Sequence, residues 1–112
     1  MHVELTPVRY SLRIYGNHPE NPRARAQISN YGEIGWLSEI QGKEFWQAGN
    51  LIAEECLKQG IKTLSGYLRE SHARLLSPIL KKQGFSFIIG PSQYDGVYKR
   101  NLCWCTWYLE KE

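Results

Sequence analysis

The stretch with the most chemical content runs from Glu33 to Phe85, where EIGWLSEI, KEFWQAGNLIAEECLKQG, IKTLSGYL and RESHARLLSPILKKQGF follow one another. The first and third segments read as strands, the second and fourth as amphipathic helices. A helix leaving the end of a strand aims its free backbone N–H groups past the sheet, where an anionic group is stabilised by them and by the helix dipole. Residues Gln41 to Gly49 occupy the first such junction. A second pattern is Cys103-x-Cys105, whose thiols share one face of a strand. His2, His18 and His72 show no ligand spacing around it, so two buried thiols in a β core are expected rather than a metal site.

The elements that position these residues are read from periodicity. Val8 to Tyr15 and Ala24 to Asn30 alternate as half-buried strands, separated by the turn-rich GNHPENP, and Tyr31-Gly32 makes a tight antiparallel connection into Glu33. Glu33 to Ile40 is apolar on both faces, which predicts a central strand covered on both sides. From Lys43 the period turns helical, with Phe45, Gly49, Ile52 and Cys56 in one stripe and Gly60 as the stop. Gly49 within a helix predicts a close backbone approach there. Ile61 to Leu68 is the next strand. Ser71 is the expected N-cap of the second helix, and Pro78 predicts a kink or a restart with Ser77 as cap. Phe85 to Ile89 is a strand, GPSQYDG a loop, and Leu102 to Leu109 a closing strand apolar on both faces. The order is β-β-β-α-β-α-β-β, and the strand-helix-strand crossover makes the third and fourth strands parallel.

The whole chain, 1–112, reads as a single domain, long enough to fold without a disulfide or metal. Its apolar runs are too short to span a bilayer, and Glu4 and Pro7 interrupt the place of a signal-peptide core, so cytoplasmic residence with reduced cysteines is expected. A net charge of +3, with Arg9, Arg13, Arg23 and Arg25 as solvated outward positions, makes nucleic acid an unlikely partner. Four Trp and seven Tyr predict, beyond the core, an aromatic contact surface for a protein partner or a second copy of the chain.

With the Gly84-Phe85 pair after its second helix, this order resembles the C-terminal two thirds of the GNAT superfamily of acyl-CoA N-acyltransferases. The resemblance implies an α/β (α+β) fold, a single mixed, mostly antiparallel sheet with two helices, lacking the family's first helices because GNHPENPRA leaves no room for them. It implies acetyl-CoA as donor, no metal, and an amine acceptor, either a small molecule or a protein. The family's pyrophosphate loop, Gln or Arg followed after two residues by Gly and after one more by Gly or Ala, aligns with Lys43-Glu44-Phe45-Trp46-Gln47-Ala48. Cofactor contacts are thereby implied for Ile40, Gln41, Lys43, Trp46, Gln47, Ala48, Gly49 and Ser71, although Trp46 stands at the first glycine. Read without the family, Phe45 and Trp46 are core aromatics. The family's Tyr, five residues before the Phe, is Leu80 here, so the acid is sought at Tyr67, His72 or Ser65, with Ser65 to Tyr67 lining the acyl channel. The base is Glu39, or secondarily Glu33. The competing reading is a GNAT-like fold without CoA that acts as a small regulator or inhibitor of another protein.

Overall fold

The computed structural model describes residues 2–6, 11–15, 22–42 and 45–111. Alternating apolar and polar residues form β1 (His2–Thr6), β2 (Ser11–Tyr15), β3 (Pro22–Tyr31) and β4 (Ile34–Gln41). A 3-10 turn at Phe45–Ala48 leads into α1 (Gly49–Lys58), followed by β5 (Thr63–Arg69), α2 (Glu70–Lys82), β6 (Ser86–Asp95) and β7 (Arg100–Tyr108). One sheet holds all seven strands in the order β1-β2-β3-β4-β5-β7-β6. It is antiparallel throughout except where β4 and β5 run parallel, as the crossover requires. The mixed sheet with two helices is thus as the sequence implied, with one more strand, β1. Val3 and Leu5 alternate with Glu4 there and point into the core. Val8 to Tyr10 of the expected first strand lie outside the described residues.

Both helices pack on one face of the sheet. Ile52, Ala53 and Cys56 of α1 and Ala73, Leu76 and Leu80 of α2 meet Leu12, Ile14, Ala26, Ile28, Leu37, Leu64, Cys105 and Trp107 in a single core. Each helix closes on a left-handed glycine followed by an apolar residue. Gly84 N–H bonds Lys81 O and Phe85 N–H bonds Leu80 O, and Gly60 and Ile61 repeat this on Leu57 and Cys56. The Gly-Phe pair is therefore a Schellman stop whose apolar residue drops back into the core. At the start of α1, a Cβ on Gly49 would lie 2.4 Å from Gln83 Oε1, the close approach that the sequence predicts.

Several expectations are corrected. β4 is covered on one side only: Gly35 and Leu37 are buried, while Ile34 and Trp36 are about half exposed on a sheet face that carries no helix. α2 runs unbroken through Pro78, which forgoes only the bond to the Arg74 carbonyl, so there is no restart at Ser77. Its N-cap is Arg69, with extended backbone and no side-chain bond, and Ser71 lies inside the first turn. The segment GPSQYDG is not a loop up to Asp95. It continues β6 through a bulge between Ile89 and Ser92, with the backbone of Gly90 against the Trp104 carbonyl.

The β4–β5 ladder spans only Ile34–Trp36 against Thr63–Ser65. Immediately beyond it, a Cβ on Gly66 would stand 2.5 Å from the Leu37 carbonyl oxygen, so no side chain fits where the strands last touch. Gly66→Ala is expected to cost about 1–3 kcal/mol of stability through the backbone shift it forces. The urea midpoint checks this, and an unchanged midpoint would show that the strands give way freely.

Candidate functional site

β4 carries one residue more than β3 opposite it. Gln27 pairs with Ser38 and Arg25 with Gln41, and the surplus is absorbed at Glu39, whose φ of 52° is left-handed. Such a bulge bends and twists its strand. Beyond it β4 stays with β3, where Arg25 Nε donates to Gln41 Oε1 at 2.9 Å, while β5 stays with β7 as far as Arg69 against Leu102. The carboxyl ends of the two parallel strands therefore part. The first turn of α2 begins directly where β5 ends, and Arg69 and His72 border the gap, so one helix N-terminus lies at it.

A cleft of about 610 Å³ opens between the parted ends. Glu39 and Ile40 come from the β4 side, Tyr67 and Arg69 from β5, His72 from α2, and Trp36, Trp104 and Tyr98 from the open sheet face and the β6–β7 turn. On the helix side, a second cleft of about 300 Å³ lies over α2, lined by Trp46, Arg69, Ser71, His72, Leu75 and Ile79. Arg69 and His72 border both.

Trp46 borders the cleft over α2 and belongs to the core. Its ring meets Phe45, His72 and Trp107 edge-on or tilted, and its Nε1–H donates to His72 Nε2 at 2.8 Å. Its carbonyl accepts from Gln83 Nε2 at 3.1 Å. The indole thus packs beneath the loop and leaves its outer surface to the exposed Gln47. The acceptor role requires a neutral His72. Its pKa is lowered below the ordinary value near 6.5, first by partial burial and then by the charge of Arg69.

The structure brings Glu39, Ile40, Tyr67 and His72 to one cleft, and Trp46 and Ser71 to the adjoining one. Gln41 turns toward β3 and lines a separate recess with Arg23 and Arg25. Ala48 and Gly49 are buried, Gly49 under Gln83, and offer no surface to a ligand. Lys43 lies outside the described residues. Ser65 is buried with its Oγ donating to Thr106 Oγ1 at 3.4 Å. Glu33 sits at the opposite end of β4, 3.6 Å from Lys62 Nζ, and cannot serve this cleft. Leu80 is fully buried. Arg69, Trp36, Trp104 and Tyr98 were not singled out from the sequence; the signal was the alternation that puts Trp104 opposite Tyr67 on the same face. Cys103 and Cys105 share the inner face as expected. Burial, and then Cys103, pushes the Cys105 thiol up to about 11, and burial and Glu55 push Cys56 to about 12, so both are protonated and unreactive.

A crossover between parallel strands that part beyond it, within an otherwise antiparallel sheet, is the topology of the GNAT fold. No family model and no curated protein matches the sequence. Solved structures do. The chain superposes on a GNAT-family acetyltransferase from Streptococcus pneumoniae with a TM-score of 0.58 at 20% identity, covering 88% of this chain and 65% of that one. It matches the ribosomal-protein-S18-alanine N-acetyltransferase of Escherichia coli with a TM-score of 0.58 at 18% identity, over 92% and 70%. It also matches the CoA-dependent acyl-homoserine lactone synthase BjaI, solved with SAM and isopentyl-CoA, with a TM-score of 0.61 at 12% identity, over 89% and 59%. The likeness is one of fold, and the chain spans 65% of the length of the first of these structures.

The Trp46–His72 bond ties stability to pH. Because the folded state disfavours protonated His72, the unfolded chain binds more protons as pH falls below about 6.5, and stability drops. The melting temperature is expected to fall more steeply from pH 7.5 to 5 for the native chain than for His72→Gln, His2 and His18 being common to both. Parallel curves would refute the linkage. Trp46→Ala should cost about 3–5 kcal/mol in urea unfolding, as truncation of a core aromatic does.

Proposed function

We propose that the protein transfers an acetyl group from acetyl-CoA to an amine. The observation that carries this reading is the parting of β4 and β5 beyond Trp36 and Ser65, with the N-terminus of α2 at the open end of β5. With the Trp46 ring largely buried, the exposed Gln47 of the 3-10 turn and Ser71 on the cleft over α2 are the polar side chains offered to a phosphate. Ile40 borders the central cleft. Where the strands first part, the interior hollow measures about 10 Å³ between Leu64, Trp46, Phe87 and Trp107. Among the described residues this hollow is too small to take a long acyl chain, which favours acetyl.

When bound, such a donor supplies a thioester carbonyl, at which the C–N bond forms as the C–S bond breaks. The amine must first lose the proton it carries at neutral pH. Glu39, exposed in the cleft, accepts that proton directly or through water. Tyr67, 59% exposed on the facing strand, supplies a proton to the leaving sulfur. His72 is a poorer acid, because its neutral form is favoured and Nε2 is occupied by the Trp46 N–H. It positions Trp46 instead.

Acetyl-CoA at 100 times its dissociation constant is expected to stabilise the protein by about 2.7 kcal/mol, read as a rise in melting temperature. No rise would sink the transferase reading in favour of a contact protein. Glu39→Gln should lower kcat by about 10²- to 10⁴-fold with little change in the acetyl-CoA dissociation constant.

A further inference from the structure

The open face of the sheet carries a continuous aromatic run that ends in the cleft. Tyr31 meets Trp36 at 5.7 Å between ring centroids, Trp36 meets Trp104 at 5.2 Å, and Trp104 meets Tyr67 at 4.8 Å, the last two edge-on. Trp36, Trp104 and Tyr67, together with Tyr98, form one wall of the 610 Å³ cleft. Rings fixed against one another in this way present edges and faces at which a further aromatic ring packs with little side-chain entropy left to lose.

Four charged side chains also line the cleft: Glu39, Arg69, Asp95 and Arg100. Two of them close the β6–β7 turn. Asp95 Oδ1 accepts the N–H groups of Val97 and Tyr98, and Arg100 Nε donates to the Tyr98 carbonyl. Glu39 and Arg69 remain, one on each of the parted strands. Neither has an ion-pair partner among the described residues. Asp95 and Arg100 keep their charges but are held side by side at the turn by backbone bonds, so the two parted strands themselves offer one anion and one cation, with an aromatic plate beside them.

We infer that the acceptor is an α-amino acid with an aromatic side chain: Glu39 meets its ammonium, Arg69 its carboxylate, and the Trp36, Trp104 and Tyr67 rings its side chain. A polyamine would set a second cation against Arg69, and a nucleotide would set phosphate against Glu39. The volume lies in the usual range for small-ligand sites, about 300–1,000 Å³. The word acceptor rests on the acetyl-transfer reading, whereas the binding does not. Glu39 in this arrangement holds the very ammonium whose proton it is proposed to take.

The test is calorimetric titration of the whole chain, without CoA, with phenylalanine, phenethylamine, alanine and N-acetylphenylalanine. Phenylalanine is expected to bind, and each of the other three, lacking carboxylate, ring or ammonium, to bind at least about tenfold more weakly. Trp104→Ala should weaken phenylalanine about tenfold. Where circular dichroism shows that variant misfolded, Trp36→Ala on the same wall replaces it. The exposed Arg69→Gln should erase the difference between phenylalanine and phenethylamine. Failure of phenylalanine to bind, or equal binding of phenethylamine or alanine, overturns the inference. Phenylalanine binding in a protein that acetyl-CoA does not stabilise would keep the site and overturn only the transfer. Acetylation of aliphatic amines without phenylalanine binding would do the reverse.

Discussion

The surplus residue at Glu39 is the constraint on which the rest of the molecule turns. Holding a glutamate in left-handed backbone costs on the order of 1–3 kcal/mol, and such strain persists only where its surroundings over-determine it. Here they do. Gln41 is tied to Arg25 across the bulge, and Gly42, at φ 101°, packs its backbone against the Arg23 carbonyl and Ala24 so closely that a Cβ would come within 2.5 Å. With Ser38 paired to Gln27 before the bulge and Gln41 to Arg25 after it, the end of β4 stays with β3 while β5 stays with β7. The cleft, the placement of the α2 start at its rim, and the presence of a carboxylate on its wall accompany that one misfit between neighbouring strands.

Much of this was legible in the residues. The alternation around Ala24 to Asn30, the change of period after Gln41, the glycine stops at Gly60 and Gly84 and the parallel crossover all rest on local rules, and local rules are what one sequence displays. The bulge was not legible, because Glu39 is an unremarkable residue for a strand and only the count of residues opposite it reveals the surplus. GPSQYDG misled for a related reason: turn-forming residues also serve bulged edge strands, and pairing with β7 decides between the two. The apolar residues on both sides of β4 suggested cover on both sides. What they encode is a buried face and an aromatic exposed one, and composition cannot separate these.

Trp46 shows how a departure from a family's pattern is absorbed. A glycine at such a position lets a ligand approach the backbone, whereas here the loop folds its indole inward to join Phe45, Phe85 and Trp107 in one aromatic cluster. The polar edge of that indole still needs a partner in a half-buried place, and His72 supplies it. Trp46 and His72, which close the core here, therefore also line the cleft over α2, and His72 borders the larger cleft as well. Core packing and site geometry are in this region a single set of contacts, which makes the site sensitive to changes that touch no ligand.

The bulge in β6 bears on behaviour beyond the folded monomer. β6 is an outer strand, and an uncovered strand edge is a template on which another chain can add its own backbone. Pro91 lies within the bulge and has no N–H to offer, and the extra residue breaks the regular spacing that an incoming strand would need. The opposite margin, β1, is only five residues long. The sheet thus pairs a face rich in exposed aromatic rings with margins that offer an added strand few regularly spaced backbone groups.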